Sequence, residues 1–397
     1  MRRVYADNSA TSFPKAPGVS DAMKDFLDNV GCNVNRGGYE SSYSTALEIL
    51  NVRKLLCELF SFNDPRNVIF TPGITYSLNM ILNGFLREGD HVITTTMEHN
   101  GVMRPLYELT KSGVVYETVR CSRDGALDPK DIAGLINEKT KAVIMTHASN
   151  VCGTVLPIGE VSEICEKRGI RLIVDSAQTA GVLDIEMNNI DALAFTCHKG
   201  LLASPGLGGF IIKSEFADTM KAVFTGGTGS LSHDIVQPDF LPDKFESGTL
   251  NIPAIMGLKK SLEYIKSTGV NIIRSKELAL TEKFIGGISG ITDVRIIGKK
   301  DLTGRIAVVS LDFTNRDNAE IAAALDSDYG IMTRCGLHCA PSAHKTLGTY
   351  PQGTVRFSFG HFNTVEEIEY IIQSVKEILK RGAGHGFQAD RSICQGD

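Results

Sequence analysis

The chain has 397 residues, of which 42% are hydrophobic and 22% are charged, and its formal net charge is −5. These values are typical of a globular protein with two domains, and they give no reason to expect a nucleic acid or an anionic membrane as a partner. No uninterrupted apolar stretch reaches the roughly 18 residues of a membrane span. The N-terminus, Met1-Arg-Arg-Val-Tyr5, lacks the apolar run of a signal peptide, so we expect a cytoplasmic protein.

The first two thirds of the chain alternate between helical and extended patterns. A helical pattern covers 41–61, and further helical patterns lie at 75–86, 102–112, 129–137 and 158–168. Strand patterns lie before, between and after these four helices, at 67–71, 91–96, 114–119, 142–147, within 171–178, within 192–200 and at 208–213. Apolar strands separated by amphipathic helices predict a mostly parallel, seven-stranded sheet that is covered on both faces. Ligands of such sheets bind beyond the carboxyl ends of the strands.

The pattern changes near residue 255. Helices at 254–267, 318–325 and 364–380 and strands at 305–312 and 353–358 predict a smaller α/β unit. We therefore divide the chain into an N-terminal segment (1–20) that joins the small domain, a large domain (21–254), a small C-terminal domain (255–381) and a mobile, Gly-rich tail (382–397).

Two neighbouring strand ends carry the strongest chemical signal. Asp175 and Gln178 follow one strand, and Thr196, His198 and Lys199 follow the next. This combination suits pyridoxal 5'-phosphate (PLP), because the lysine can bind the cofactor's aldehyde covalently while the aspartate keeps its ring nitrogen protonated. Burial lowers the pKa of a lysine and frees its amine. Lys199 alone would be an ordinary surface lysine, and the flanking residues favour the cofactor site.

Three further turns are candidates to complete the site. Gly73 and Thr75 lie at the start of a helix, where free N–H groups can bind a phosphate, although a simple capped turn fits the same residues. His99 can stack on a flat ring and move a proton, or make only a local hydrogen bond. Asn150 can bond a ring substituent or substrate, or belong to an ordinary turn.

Nine cysteines are scattered without a regular framework, so we expect mostly reduced thiols, with Cys57 and Cys165 in the core. Cys339 differs, because Arg334 and His338 nearby favour the thiolate and make it a candidate nucleophile. A structural role is the alternative. The same loop also admits a zinc site, with the ligands Cys335, Cys339, His338 and His344.

Arg356 lies within the strand pattern at 353–358. An arginine there can clamp a substrate carboxylate through two parallel hydrogen bonds. An ion pair between the two domains is the alternative.

With these residues assembled, the chain resembles cysteine desulfurases of the class V aminotransferase group, from Tyr5 to about Leu379. The most specific part is the pair Asp175-x-x-Gln178 and Thr196-x-His198-Lys199. The segment Arg334-x-Gly-x-His-Cys339 resembles the short-loop, group II form, in the branch that includes selenocysteine lyase-like enzymes. Four departures indicate a divergent branch, namely Thr196 in place of the usual serine, the residues Cys335 and Leu337, and the extra tail that contains Cys394.

The resemblance implies a PLP-dependent transferase of fold type I that works as a homodimer. It would convert L-cysteine to L-alanine and keep the sulfur on Cys339 as a persulfide for an unknown acceptor protein. A selenocysteine lyase or another PLP-dependent β-lyase is the alternative on the same scaffold. A third hypothesis is a non-catalytic scaffold or regulator that keeps the fold of PLP-dependent enzymes.

The resemblance also implies a role for each candidate residue, with no metal. Lys199 would bind the cofactor and move the substrate's Cα proton. Around the cofactor ring, Asp175 would contact the ring nitrogen, Gln178 the ring hydroxyl and His99 the ring face. Thr75, Thr196 and His198 would bind the phosphate, and Thr249 would contact the phosphate of the neighbouring subunit's cofactor. Arg356 would bind the substrate carboxylate, with support from Asn150.

Overall fold

The computed structural model describes residues 2–34, 37–231 and 233–381. The tail that the sequence predicts to be mobile, 382–397, lies outside these described residues. Within them the strands are β1 Val4–Tyr5, β2 Val68–Thr71, β3 His91–Thr95, β4 Val115–Val119, β5 Thr140–Thr146, β6 Arg171–Asp175, β7 Ala192–Thr196, β8 Gly208–Ile212, β9 Val294–Ile297, β10 Val308–Phe313, β11 Ile331–Met332, β12 Arg334–Gly336 and β13 Thr354–Ser358. The α-helices are α1 Val19–Asp25, α2 Glu40–Leu59, α3 Ile74–Phe85, α4 Asn100–Thr110, α5 Pro129–Leu135, α6 Ile158–Arg168, α7 Ser214–Ala217, α8 Ile252–Thr268, α9 Val270–Ile288, α10 Asn318–Tyr329, α11 Pro341–Leu347 and α12 Val365–Lys380.

The predicted seven-stranded sheet is confirmed. Its strand order is β2-β8-β7-β6-β5-β3-β4, and β8 alone runs antiparallel to its neighbours. Asp175 is the last residue of β6 and Thr196 the last of β7, and Asp175 pairs in register with Ala194. The two polar strand ends that the sequence singles out therefore lie side by side at one edge of the sheet.

Both faces of this sheet are buried, because the inner positions of the central strands are apolar, at 142–145 in β5, 172–174 in β6 and 192–195 in β7. Val174 and Leu193 point to one core, while Ile173 and Ala194 point to the other, as the two-residue period of a strand requires. The helices that follow the strands cover both faces. At their carboxyl ends the strands pass out of this core, and the polar residues Asp175 and Thr196 stand at that point.

The C-terminal part forms an antiparallel sheet in the order β12-β13-β10-β9. The N-terminus joins it, since β1 pairs with β11 in parallel and Asp7 forms a bridge with Ser358. The predicted strand at 305–312 begins only at Val308. Arg305 is instead fully buried, where its guanidinium donates to the backbone carbonyls of Lys299 and Val308.

Several short elements were not anticipated, among them α1, β9, β11, β12 and α11. The 19-residue helix α9 was also missed, although Ile273, Leu280 and Phe284 give it a buried stripe. Only Gly269 separates α9 from α8, and the predicted helix at 254–267 corresponds to α8 alone. Among the described residues, every helix is too short or too polar to cross a lipid bilayer.

Candidate active site

Lys199 lies in the turn that follows β7. This turn packs directly against the turn that follows β6, and a Cβ atom at Gly200 would come within 2.5 Å of the Ala180 carbonyl oxygen. Burial lowers the pKa of Lys199 to about 8, and Arg356 and Arg334 add to the effect while Asp175 opposes it. A lysine with a lowered pKa supplies the neutral amine that covalent chemistry at a carbonyl requires.

The N-terminal segment holds the Lys199 turn in place through one carbonyl. The backbone oxygen of His198 accepts hydrogen bonds from the Ser12 N–H at 2.8 Å, the Thr11 Oγ1 hydroxyl at 3.0 Å and Lys15 Nζ at 3.0 Å. Sequence reasoning missed these residues, because hydroxyls in an irregular segment carry no periodic signal. The contact fixes the peptide that precedes Lys199.

Asp175 is buried, and its Oδ1 accepts a hydrogen bond from the Ala177 N–H at 2.8 Å. Burial raises the pKa of this carboxyl, while the Ala177 N–H and Lys199 oppose the rise. Gln178 is also buried and donates from Nε2 to the Ser9 carbonyl at 3.2 Å. Because a buried carboxylate is unstable without a positive charge beside it, the Asp175 side chain is suited to bind the protonated ring nitrogen of the cofactor.

His99 caps the N-terminus of α4, where its Nδ1 accepts a hydrogen bond from the Gly101 N–H at 2.9 Å. The imidazole proton is therefore on Nε2. Burial lowers the pKa of His99 to about 4, and the positive charges of Lys199, Arg334 and Arg356 add to the effect. The ring is neutral at physiological pH, which suits stacking on an aromatic ring.

The turn that precedes α3 fits a phosphate group. Gly73 occupies the N-cap position, and its carbonyl accepts from the Tyr76 N–H at 2.9 Å. No side chain caps the helix, so the N–H groups of Ile74 and Thr75 keep their capacity for an anion. Thr75 lies in that first turn. Across the strand ends, Thr196 is buried, and His198 Nδ1 is buried without a hydrogen-bond partner among the described residues. An orphaned buried imidazole nitrogen is costly unless a ligand satisfies it.

Arg356 lies on β13 and is almost completely buried. Its Nη2 donates to Asp7 Oδ1 at 2.7 Å, and its Nη1 donates to the Asn150 backbone carbonyl at 3.1 Å. This ion pair joins Arg356 to the N-terminal segment (1–20), which the sequence assigns to the small domain, so it is not the ion pair between two domains that the sequence offers as the alternative. Arg356 Nε has no partner among the described residues, so the guanidinium keeps one buried donor for a carboxylate.

The Cys339 thiol is exposed, and its loop reaches the large sheet. The Asn100 N–H donates to the Cys339 carbonyl at 2.7 Å, and Asn150 Nδ2 donates to the His338 carbonyl at 2.8 Å. Since Asn100 directly follows His99, the loop lies beside the strand ends that carry the candidate cofactor residues. Cys57 and Cys165 are buried, as predicted.

The imidazoles near Cys339 have local partners. His338 Nε2 pairs with Thr354 Oγ1 at 3.0 Å, and His344 Nδ1 pairs with Thr349 Oγ1 at 2.7 Å. Across residues 2–34, 37–231 and 233–381, no three His, Cys, Asp or Glu side chains converge in a way that would hold a metal ion. The zinc interpretation of this loop therefore has no support in the geometry.

Thr249 is exposed at the end of a firmly held segment. Within that segment Phe245 is buried, and Glu246 accepts from Arg53 Nη2 at 2.7 Å and from the Phe70 N–H at 2.6 Å. Because Phe70 belongs to β2, the segment is attached to the strand that leads into the candidate phosphate turn. Thr249 is available to a second molecule.

Glu98 is a buried acid that sequence reasoning passed over in favour of the adjacent His99. Its carboxyl accepts from the Thr95 hydroxyl at 2.6 Å and from the Thr146 N–H at 2.8 Å. Burial raises the pKa of Glu98 to about 8, and the nearby Asp175 charge adds to the rise. A single acidic residue at an otherwise apolar strand end was the signal that could have identified it.

This burial predicts a pH effect on stability. The folded protein keeps the Glu98 proton up to about pH 8, whereas the unfolded chain releases it near pH 4.5. Below about pH 4.5 the Glu98 carboxyl makes its full contribution to the free energy of unfolding. Between about pH 4.5 and pH 8 this contribution decreases, by at most about 1.4 kcal/mol per pH unit. In urea unfolding of the cofactor-free protein, the difference between wild type and Glu98→Gln should therefore fall from pH 5 to pH 8. A constant or rising difference would contradict the assignment.

The structure brings most of the predicted site residues to one edge of the large sheet. Lys199, Asp175, Gln178, Thr196 and His198 follow β6 and β7, and Gly73, Thr75, His99 and Asn150 follow β2, β3 and β5. Arg356 arrives from the small sheet and donates to the Asn150 carbonyl. The Cys339 loop follows β12, and it accepts from the Asn150 amide at His338 and from the Asn100 N–H at Cys339. With an orphaned nitrogen at His198 and a buried acid at Asp175, this set of residues fits PLP.

Comparison with known proteins agrees with this geometry. The family described as aminotransferase class-V matches residues 4–371. A probable cysteine desulfurase of Methanothermobacter thermautotrophicus is 30% identical over 385 residues, which are 96% of this chain and 95% of that protein. A probable cysteine desulfurase of Staphylococcus epidermidis strain RP62A is 31% identical and covers 95% of this chain and 92% of its own. The solved apo structure of a cysteine desulfurase from Thermococcus onnurineus NA1 superposes with a TM-score of 0.89 at 31% identity, covering 95% of both chains.

These matches extend over nearly the whole chain, and they include both the large sheet and the Cys339 loop. They agree with the architecture that the sequence predicts, PLP fold type I. The chain therefore belongs to the class V aminotransferase family, in its cysteine desulfurase-like branch, whose members depend on PLP.

Proposed function

We propose that this protein is a PLP-dependent cysteine desulfurase that converts L-cysteine to L-alanine and transfers the sulfur to Cys339. The observation that carries the proposal is the exposed Cys339 thiol, whose backbone is hydrogen-bonded at 2.7 Å to the residue that follows His99. Sulfur transfer from an amino acid requires a thiol at the cofactor site, and this hydrogen bond joins the Cys339 loop to the turn that carries His99. The related proteins named above as cysteine desulfurases support the same reaction.

Bound PLP would supply an electron sink for the negative charge that develops at the substrate's Cα. Lys199, with a pKa lowered to about 8, would hold the cofactor covalently and then accept the Cα proton at Nζ. Asp175 would keep the ring nitrogen protonated, and Gln178 would bond the ring hydroxyl. His99, neutral and capped at Nδ1, would cover the ring face and exclude water.

The phosphate would bind between two turns. The uncapped start of α3 with Gly73 and Thr75 offers N–H and hydroxyl donors, and Thr196 with the free His198 Nδ1 offers donors from the other side. The donors converge from separate strand ends, so they fix the orientation of the cofactor as well as its affinity.

The substrate carboxylate would bind to Arg356. Hydrogen bonds to Asp7 and to the Asn150 carbonyl fix the orientation of its guanidinium, and the Nε–H remains available to donate to the substrate carboxylate. Since the side chain is buried and anchored at two positions, little rotational entropy is lost when the carboxylate binds. Asn150 would support this contact from its place after β5.

Cys339 would carry out the sulfur transfer as its thiolate. Its Sγ attacks the substrate sulfur, an S–S bond forms, and the Cβ–S bond breaks with its electron pair remaining on the carbon side. That carbon then takes up a proton, so that alanine leaves and a persulfide remains on Cys339. The exposed position of Cys339 allows an acceptor protein to take up this sulfur.

We further propose that the enzyme is a homodimer in which Thr249 contacts the cofactor phosphate of the neighbouring subunit. Support comes from exposed apolar side chains close in sequence to Thr249 and to the phosphate turn, namely Tyr76, Phe224, Ile235, Val236 and Phe240. Exposed apolar groups of this kind mark association surfaces. Sedimentation of the loaded protein should give twice the chain mass of 43.0 kDa, and a stable monomer would contradict the dimer.

The reaction is tested by intact-mass analysis of the PLP-loaded protein after addition of L-cysteine without reductant. The expected result is a gain of one sulfur atom per chain, released by dithiothreitol and located by peptide mapping at Cys339, together with one equivalent of alanine. Alanine formation without any sulfur on the protein would refute the proposed persulfide. An unchanged mass without alanine would refute the desulfurase function itself.

A further inference from the structure

The loop that carries Cys339 is attached to the large sheet through two consecutive peptide carbonyls. The Asn100 N–H binds the Cys339 carbonyl at 2.7 Å, and the Asn150 side-chain amide binds the His338 carbonyl at 2.8 Å. Asn100 begins α4 directly after His99, and Asn150 follows β5. Both donors therefore come from the turns that also build the candidate cofactor site.

The backbone of this loop is strained at the attached residues. His338 has φ = 49° and Cys339 has φ = 56°, so two successive residues with side chains occupy the left-handed region. A residue with a side chain adopts this region at a cost in free energy, and it persists there only where surrounding contacts require it. The two carbonyl contacts are therefore part of what keeps the loop in this shape.

A third attachment comes from the small sheet. The His338 side chain is buried, pairs with Thr354 on β13 and packs against the His344 ring, with 5.4 Å between ring centroids. The loop is thus held on one side by the sheet that carries Arg356 and on the other by the sheet that carries Lys199. The position of the Cys339 sulfur depends on both sets of contacts.

We propose that the Asn100 N–H and the Asn150 amide are positioning groups, which hold the Cys339 loop in a conformation preorganised for attack on the substrate sulfur. This inference rests on the proposed function. Displacement of a reacting group by about 1 Å can cost about 100-fold in rate. Loss of one carbonyl contact should therefore slow sulfur transfer without altering how the cofactor binds.

Asn100→Pro removes the Asn100 donor with little other change. Asn100 is the first residue of α4, where proline is well tolerated because its N–H has no partner within the helix. The preceding His99 has φ = −76° and ψ = 155°, the extended conformation that a residue before proline adopts. The proline ring would also occupy space beside the Cys339 carbonyl. Asn100→Ala is the matched control, since it removes the same side chain and keeps the N–H.

The expected result for Asn100→Pro is a single-turnover rate of persulfide formation at least tenfold below wild type. The absorbance and affinity of PLP should match those of Asn100→Ala, which should form persulfide within twofold of the wild-type rate. A second readout needs no turnover, namely the rate at which iodoacetamide alkylates Cys339 in the cofactor-free protein. This rate should change several-fold in Asn100→Pro and remain unchanged in Asn100→Ala.

Asn150→Asp gives an independent variant, because a carboxylate cannot donate to the His338 carbonyl. It should change the alkylation rate of Cys339 in the same direction as Asn100→Pro. Wild-type rates of both alkylation and persulfide formation in a folded Asn100→Pro protein would overturn the inference. Failure of wild type itself to form persulfide would instead refute the proposed function, and the alkylation comparison would still test the positioning.

Discussion

Replacement of Lys199 by alanine is expected to abolish desulfuration of L-cysteine, with a loss of about 10⁴-fold or more. The amine is the proposed covalent link to PLP and the proposed base for the Cα proton, and no neighbouring group can replace it. His99 has its Nδ1 occupied by the Gly101 N–H and a pKa of about 4, and Lys15 is bound to the His198 carbonyl. The variant should still fold, because it removes a cation that burial disfavours.

The measurement combines alanine release with the covalent state of PLP. After borohydride reduction, denatured wild type should retain the cofactor's mass on the peptide that contains Lys199, and Lys199→Ala should not. Lys199→Arg is the control that keeps a positive charge, and it should be as inactive as the alanine variant. Activity of either variant above a hundredth of wild type would show that another residue carries the proton.

Replacement of Cys339 by alanine should have the second largest effect. Without the thiolate the substrate sulfur has no acceptor on the protein, so alanine formation from L-cysteine should fall by about 100-fold or more, and no persulfide should form. Cys335→Ser is the matched control from the same loop. Cys335 lies on β12 opposite Val355, and its replacement should leave the persulfide at Cys339 in place.

The same variant distinguishes the two substrates that the family resemblance allows. A selenol is itself a good leaving group, so a selenocysteine lyase should retain most of its rate with L-selenocysteine in Cys339→Ala. An equal loss with both substrates favours the cysteine desulfurase. Release of sulfide from L-cysteine at the wild-type rate by Cys339→Ala would refute the persulfide mechanism.

The sequence predicted those site residues that sit where a regular pattern ends. Asp175 and Thr196 are each the final residue of an apolar strand, so the change from apolar to polar marks them directly. Gly73 was recognisable for the same reason, because a strand pattern passes into a helix pattern there. Parallel strands then bring such residues together without further information.

Contacts made through the backbone could not be predicted in this way. The donor from Asn100 and the acceptors at His198, His338 and Cys339 are peptide groups, which every residue type offers equally. Ser12 and Lys15 lie in a segment without periodicity. The ion pair between Arg356 and Asp7 joins positions almost a whole chain length apart, and its existence depends on the pairing of β1 with β11.

That long-range ion pair has a consequence for how the enzyme is made. Asp7 precedes Arg356 by 349 positions in the chain, so it finds its partner only long after its own synthesis, when Arg356 has been added. Until then the proposed carboxylate site at Arg356 is incomplete, even though all strands of the large sheet are already present. A partly synthesised chain can therefore form the candidate cofactor site before it can form the proposed carboxylate site, which is complete only after β13 has been synthesised.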